Sequence, residues 1–212
     1  MSKFLHSLFL QLASAKDEHQ LRMHYMDAFG SCFAVQRWGI YMIDEKSHYR
    51  SGDVKGISKV DGFVELYEKV GRAIDPVMQY VTEHHAPAHE EMVLPPGGWK
   101  QCLLYKNCCG YYDHEHIMTG PIVGNGNLIG AVYFARVGDT PAFTNQDITN
   151  LSAICTNMSA CLATIQVQKL YLDSYSANLL TPREIQIAQL VAQGLTNIQI
   201  SKELWITSNS VK

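Results

Sequence analysis

Charge of either sign is scarce in this chain. Lys, Arg, Asp and Glu make up 17% of its 212 residues and leave a formal net charge of −3. A complete nucleic-acid binder carries a basic face, so any such face is confined to a small part of the molecule. No uninterrupted apolar run reaches the roughly 20 residues that span a bilayer. The start, Met1-Ser2-Lys3-Phe4-Leu5-His6, lacks the apolar core and cleavage site of a secretory signal. None of the six cysteines lies in a Cys-x-x-Cys pair, and without a secretion signal they are expected to stay reduced. Gly-rich phosphate cradles, Ser-His-Asp patterns and paired carboxylates are missing too, which argues against an enzyme. Low-complexity stretches are also missing. What remains is a cytoplasmic protein with no membrane association, 47% hydrophobic and long enough for one large domain and one small one.

The first 170 or so residues read as a mixture of helix and strand. Phe4, Leu5, Leu8, Phe9 and Leu12 share one face of a short amphipathic helix. A second helix is predicted over residues 17–29, followed by a strand over 33–43 that is rich in β-branched and aromatic residues. Residues 62–70 and 76–84 carry helical patterns that meet at Asp75-Pro76, and Pro95-Pro96-Gly97-Gly98 is a loop. Residues 117–123 and 128–137 flank Gly124-Asn125-Gly126-Asn127, a strong hairpin signal, so the sheet is expected to be antiparallel. From Asp147 a helix free of Gly and Pro runs to about Tyr175. Its Ile148, Leu151, Cys155, Met158, Leu162, Ile165 and Leu172 form a heptad-like stripe, broken by Lys169. One stripe fits equally a helix packed on its own sheet and the seam of a homodimer.

The last stretch holds two helix starts at close spacing. Thr181 can cap a helix with Pro182 at its first position and Glu184 completing a capping box, while Leu180 can staple onto Ile185. Gly194 stops that helix, Thr196 and Gln199 form a second capping box, and Thr207 or Ser208 opens a third helix. Helix, turn, helix, turn and helix start within about thirty residues is the layout of a DNA-reading module. Leu180-Thr181-Pro182-Arg183-Glu184, Val191-Ala192-Gln193-Gly194-Leu195-Thr196-Asn197, Ile200, Leu204 and residues 207–212 closely resemble the DNA-binding domain of LuxR-type transcriptional regulators. Ile198 and Gln199 stand where that family usually has Lys-Glu, and Ser201 where it has Ala. The resemblance implies DNA as partner. It implies that Thr207, Ser208, Asn209, Ser210 and Lys212 begin the reading helix, and that Thr196 and Asn197 lie near the phosphate backbone. It covers about the first half of the family's domain. The remainder of the reading helix and the fourth helix lie outside these 212 residues, and this stretch alone is expected to bind DNA weakly or not at all.

Pro121 to Arg136, then Phe143-Thr144 and Asp147-Ile148, resemble the end of a GAF domain: hairpin, outer strand and signalling helix in order. The same hairpin resembles the autoinducer-binding domain of quorum-sensing LuxR proteins, as does Asp75-Pro76-Val77, where that family's Asp meets a ligand amide. Phe63 stands where that family places a Trp, and Tyr67 where it has a Tyr. These resemblances imply an α+β chain with a GAF/PAS-like antiparallel sheet flanked by helices, a long connecting helix and an incomplete all-α helix-turn-helix. The domains are expected at residues 1–168 (sensor), 169–178 (end of the signalling helix) and 179–212 (helix-turn-helix). The candidate ligand-binding residues are Trp38, Tyr41, Phe63, Tyr67, Asp75 and Trp99. For Asp75 the alternative is a plain helix cap, and for the aromatics a place in the core.

Cys102, Cys108 and Cys109, with His114, His116, His84, His85 and His89 nearby in sequence, are the densest thiol and imidazole cluster. Pro87 and the adjacency of Cys108 and Cys109 count against metal ligation, so no metal is expected and the three cysteines are candidate redox residues. No cysteine is followed by His, which disfavours a bilin, and no cofactor is assigned. The expected function is a dimeric transcription regulator whose sensor answers a small molecule or redox state. Three alternatives stand beside it: an acyl-homoserine-lactone receptor, a thiol enzyme resembling free methionine sulfoxide reductase, and a truncated sensor and dimerisation module without DNA binding.

Overall fold

A computed structural model describes residues 2–28, 33–44, 48–179 and 181–211; of Ser2 and residues 172–179 only the backbone is described. The chain divides into two compact units, Met1–Ala163 and Thr164–Lys212. In the first unit the helices α1 (Ser2–Ala13) and α2 (Glu18–Ala28) precede the strands β1 (Arg37–Ile43) and β2 (Tyr49–Lys55). Helix α3 (Val60–Leu66) continues through a π turn at Tyr67–Gly71 and a tight turn to Ile74. Next come α4 (Pro76–His84), the short β3 (Ala88–His89), α5 (Glu90–Val93) and α6 (Leu103–Asn107). The strands β4 (His114–Gly124) and β5 (Asn127–Val137) form the hairpin, and α7 runs from Asn145 to Leu179.

The five strands form one sheet in the order β2-β1-β5-β4-β3, every neighbouring pair antiparallel. At the hairpin tip Asn125 and Gly126 both take positive φ, 52° and 77°. Those are the torsions of the two-residue turn whose twist matches the strands.

Alternation along the strands divides the sheet into two faces. On one face Ile40 and Met42 of β1, Met118 and Ile122 of β4, and Val132 and Phe134 of β5 are buried. The first two helices cover part of this face: Tyr25 donates to the carbonyl of Gly39 at 3.3 Å, its ring lies 6.3 Å from that of Phe134, and Trp38 Nε1 donates to the Met26 carbonyl at 3.0 Å. The long helix covers the rest. A Cβ on Gly120 would meet the Cys155 thiol and come within 2.9 Å of Leu151 Cγ, so glycine is what lets α7 sit against β4. Leu151, Ile154, Cys155, Met158 and Leu162 are buried, and Ser159 Oγ accepts from Val123 N at 2.9 Å. The first part of the stripe therefore faces the chain's own sheet. Residues 145–171 have the length and composition of a membrane-crossing helix, although Thr, Asn, Ser and Gln interrupt every apolar run. About 33% of their most apolar window is buried in the chain's own fold, the row against β4 included.

The predicted strand over 33–43 is shorter in the structure because Phe33 and Ala34 adopt positive φ, 58° and 47°. The Phe33 carbonyl turns toward Arg136, whose Nη2 reaches it at 2.7 Å, while Nη1 of the same arginine donates to the carbonyls of Pro141 and Ala142.

The second unit contains the last part of α7, then α8 (Pro182–Ala192), α9 (Asn197–Glu203) and a final tight turn, Ser208–Val211.

Candidate functional site

The second face of the sheet carries small residues. Gly39, Ala131 and Ala135 alternate with Tyr41, Tyr133, Ile117 and Thr119. Over them lie α3, α4 and α6, which bring Phe63, Val77, Val81 and Leu104 into the same core. Between this face and its helical cover lies a cavity that water centres can occupy over about 60 Å³. That is the space of about four waters, or of one six-membered ring. Tyr41, Phe63, Tyr67 and Asp75 line it, together with Glu68, Cys109, His114, Thr119 and Tyr133.

Asp75 caps α4. One carboxylate oxygen accepts from Val77 N at 2.9 Å and Met78 N at 3.0 Å, and the other takes the Tyr67 hydroxyl at 2.7 Å. Burial pushes this carboxyl above its usual range, against the pull of those hydrogen bonds. The cap and the cavity wall are thus the same residue. Tyr67 arrives there because it opens the π turn, a one-residue widening that often marks a functional position. A Cβ on Gly71 would lie 2.7 Å from the Tyr67 ring, so the turn depends on that glycine. Tyr41 donates to Met78 Sδ at 2.9 Å, and the Arg72 guanidinium lies 5.5 Å from its ring centroid while pairing with Glu68.

Two of the predicted aromatics lie elsewhere. Trp38 is on the opposite sheet face, with α2. Trp99 packs in the core beside the cavity, its Nε1 donating to the His114 carbonyl at 3.0 Å. Tyr133, Thr119 and His114 border the cavity although the sequence patterns did not mark them as binding residues. Odd-numbered alternation on the two hairpin strands is the signal that finds Thr119 and Tyr133. For His114 burial drives the imidazole pKa down to about 3, with the Arg37 charge adding to it, so the ring is neutral at ordinary pH.

The three thiols are neighbours that differ in burial. Cys102 is half-buried and accepts from Tyr105 N at 3.4 Å, whereas Cys108 and Cys109 are buried, with Cys109 in the cavity wall. The hydrogen bond between Cys108 and Cys109, with burial, pushes the Cys109 thiol up, whereas the same bond holds the Cys108 thiol below its usual range against burial. Among the described residues no three His, Cys, Asp or Glu side chains converge on one point. His116 pairs instead with the fully buried Glu90 at 2.5 Å, and His84 stacks on Tyr80.

In the second unit both capping boxes form. Glu184 Oε2 accepts from Thr181 N at 2.7 Å, and Gln199 Oε1 accepts from Thr196 N at 2.9 Å. Gly194 turns the chain with φ 84°, Ile200 is fully buried, and Arg183 donates to the Leu204 carbonyl, tying α8 to α9. Thr207 caps the last turn through Ser210 N. Thr196, Asn197, Thr207, Ser208, Asn209 and Ser210 are all exposed. Lys212 and the Leu180 staple lie outside the described residues, as does the side chain of Leu172.

Residues 178–212 match the family model of the luxR family of bacterial regulatory proteins. No curated protein matches the chain in sequence. Among solved structures, the GAF domain of a phosphoenolpyruvate-protein phosphotransferase from Coxiella burnetii is similar at a TM-score of 0.57 and 13% identity, over 80% of this chain and 96% of that one. Escherichia coli SdiA gives a TM-score of 0.55 at 13% identity, over 99% of this chain and 86% of its own. The N-acylhomoserine-lactone-dependent LuxR-family transcription factor CepR2 of Burkholderia cenocepacia gives 0.55 at 15%, over 80% and 97%. At these identities the likeness is one of fold. Residues 178–212 thus carry the pattern of the luxR family of bacterial regulatory proteins, and the first unit has a GAF-like fold.

Proposed function

We propose that the cavity between the sheet and α3–α4 is the sensory site, and that a small molecule held there controls DNA binding by the luxR-family segment. The observation that supports this most directly is the cavity itself: an apolar space walled by Phe63 and Val64, with Asp75, Tyr67, His114 and Tyr133 set into it. Specific small-molecule sites have this composition, mostly apolar with a few fixed polar groups. Tyr41, Phe63, Tyr67 and Asp75 are the ligand contacts, with Trp99 supporting the wall from behind.

The output is carried by α7. A turn or shift of that helix moves whatever follows Leu179, and a discrete helix displacement is a common way to pass on a binding event. The exposed Val167, Leu170 and Tyr171 offer an apolar surface for pairing with a second copy, so the acting species is a cytoplasmic homodimer. Thr196 and Asn197 meet phosphates, and Thr207, Ser208, Asn209, Ser210 and Lys212 begin the groove-reading element. The protein works by binding and not by catalysis. CepR2 depends on an N-acylhomoserine lactone, which makes an acyl ligand the second reading; the small volume of the present cavity favours a shorter molecule.

Chromatin immunoprecipitation with the intact protein tests both halves. Asn209→Ala should abolish site occupancy, and Thr119→Phe, which fills the cavity, should fix occupancy at one level whatever the growth condition. Occupancy that still follows growth conditions in the Thr119→Phe protein would rule out the cavity as the sensory site.

A further inference from the structure

Three buried polar atoms on this side of the sheet have no hydrogen-bond partner among the described residues: His114 Nε2 and the Tyr133 hydroxyl, whose residues line the cavity, and Arg37 Nη1, whose residue does not. Native proteins rarely leave such atoms unpaired, and an orphan calls for an explanation. His114 and Tyr133 both border the cavity and both pack on the Phe63 ring, at centroid distances of 5.4 and 5.9 Å. Arg37 lies on the same sheet face as Tyr133, since Arg37 pairs with Ala135 and Gly39 with Tyr133 across β1 and β5. After burial, the Arg37 charge is a further influence on His114, and it also acts on Tyr133, against the larger effect of burial there.

We infer that Tyr133 and His114, with Arg37 beside them, form the donor end of the sensory cavity and hold the carbonyl oxygen of a small neutral ligand. This rests on the cavity being the sensory site. Arg37 can only donate, the Tyr133 hydroxyl can donate, and a neutral imidazole donates from Nε2 in one of its two tautomers. None of the three atoms has an acceptor among the described residues, and an oxygen with two lone pairs answers such a set. Charge selects against a carboxylate. Asp75 and Glu68 both border the cavity, whereas Arg37 is not among the residues that line it. A ligand anion would be a third acidic group in that space, while a carbonyl dipole needs only its negative end turned toward Arg37. The adjoining wall is apolar and has room for about one ring, so the ligand is a small ketone, ester or amide with a hydrocarbon body.

The test uses three probes of similar shape on the intact protein: cyclohexanone, methylenecyclohexane, which replaces the oxygen with a carbon, and cyclohexanecarboxylate. Binding is followed by ligand-detected NMR. The ketone should bind about tenfold more tightly than the alkene, the worth of one good hydrogen bond, and Tyr133→Phe should erase that preference. Without ligand, Tyr133→Phe should melt no lower than wild type, because its hydroxyl has no partner to lose. The ¹⁵N resonance of His114 Nε2 in the wild type should move with the ketone and stay still with the alkene, which keeps the test independent of any variant. Equal binding of ketone and alkene, or a preference that survives Tyr133→Phe, would overturn the donor end and leave the sensory cavity standing. Tighter binding of the carboxylate would overturn the neutral carbonyl. Failure of all three probes to bind would remove the cavity as a ligand site, and the donor end with it.

Discussion

The bond between Tyr67 and Asp75 is the sharpest point at which the structure can be tested. Tyr67→Phe removes one hydroxyl and nothing else, taking away a 2.7 Å hydrogen bond to a buried carboxylate. Hydrogen bonds to charged groups contribute about 1.5–3 kcal/mol, so the substitution should destabilise the first unit by about that much. Asp75→Ala should cost more, about 2–4 kcal/mol, because it deletes the cap of α4 (about 1 kcal/mol) and leaves the Tyr67 hydroxyl buried without an acceptor. The double variant should fall short of the sum by more than about 1 kcal/mol, since each single change has already broken the shared bond. Urea unfolding in a Trp205→Phe background reports the first unit alone, because Trp38 and Trp99 are then the only tryptophans left of three.

A pH dependence belongs to the same test. Asp75's folded carboxyl titrates above the ordinary 3.8, so its proton-linked stability is fully present below that value and is lost as pH rises through the folded pKa. The Tyr67 hydroxyl is one of the groups pulling that pKa down, so Tyr67→Phe raises it further and increases the loss. The cost of Tyr67→Phe should therefore be larger at pH 7 than near pH 4. Additive single variants, or a cost below about 0.5 kcal/mol that does not change with pH, would show that the two residues are not coupled and that Asp75 is merely a cap.

Three further outcomes follow from the packing. Gly120→Val should destabilise the first unit by about 1–3 kcal/mol in the same urea assay, because its Cβ collides with Cys155 and Leu151 of α7. Arg136→Met should cost about 3–5 kcal/mol, since it strands Asp147 and the carbonyls of Phe33, Pro141 and Ala142, and a drop below about 1 kcal/mol would contradict that network. His114 titrates at about 3 when folded, so the unfolded chain binds the extra proton first and stability should fall as pH drops from 6.5 toward 3. Its slope is at most about 1.4 kcal/mol per pH unit, and His114→Phe should flatten the acid side of the stability profile by that amount.

The local elements were legible because local chemistry fixes them. Thr181 with Glu184 and Thr196 with Gln199 form capping boxes from atoms three residues apart, and Asn125-Gly126 supplies the two positive φ values of a tight hairpin without any distant contact. The start of α4 at Asp75-Pro76 is of the same kind. Strand β2 was not legible, because Tyr49-Arg50-Ser51-Gly52-Asp53-Val54-Lys55 is a polar edge strand with little alternation, held by pairing with β1 and by Arg22 to Asp53 at 2.9 Å. The cavity was half visible. Phe63, Tyr67 and Asp75 lie within thirteen residues of one another in sequence, along α3 and the turns that follow it, whereas His114, Thr119 and Tyr133 join them only through the register of β4 with β5 and of β5 with β1.

By itself, then, the sequence determined the helix ends, the hairpin, the antiparallel sense of its sheet and the helix-turn-helix, each set by interactions within a few residues. Only the tertiary structure decided which face of the sheet α7 covers, that Trp38 packs behind the sheet while Tyr41 faces the cavity, and that the Cys109 thiol is shut in the wall. Alternation along a strand separates its two faces, but strand register and the packing of distant helices decide what covers each face, and contacts between residues this far apart are not written in the local pattern of the chain.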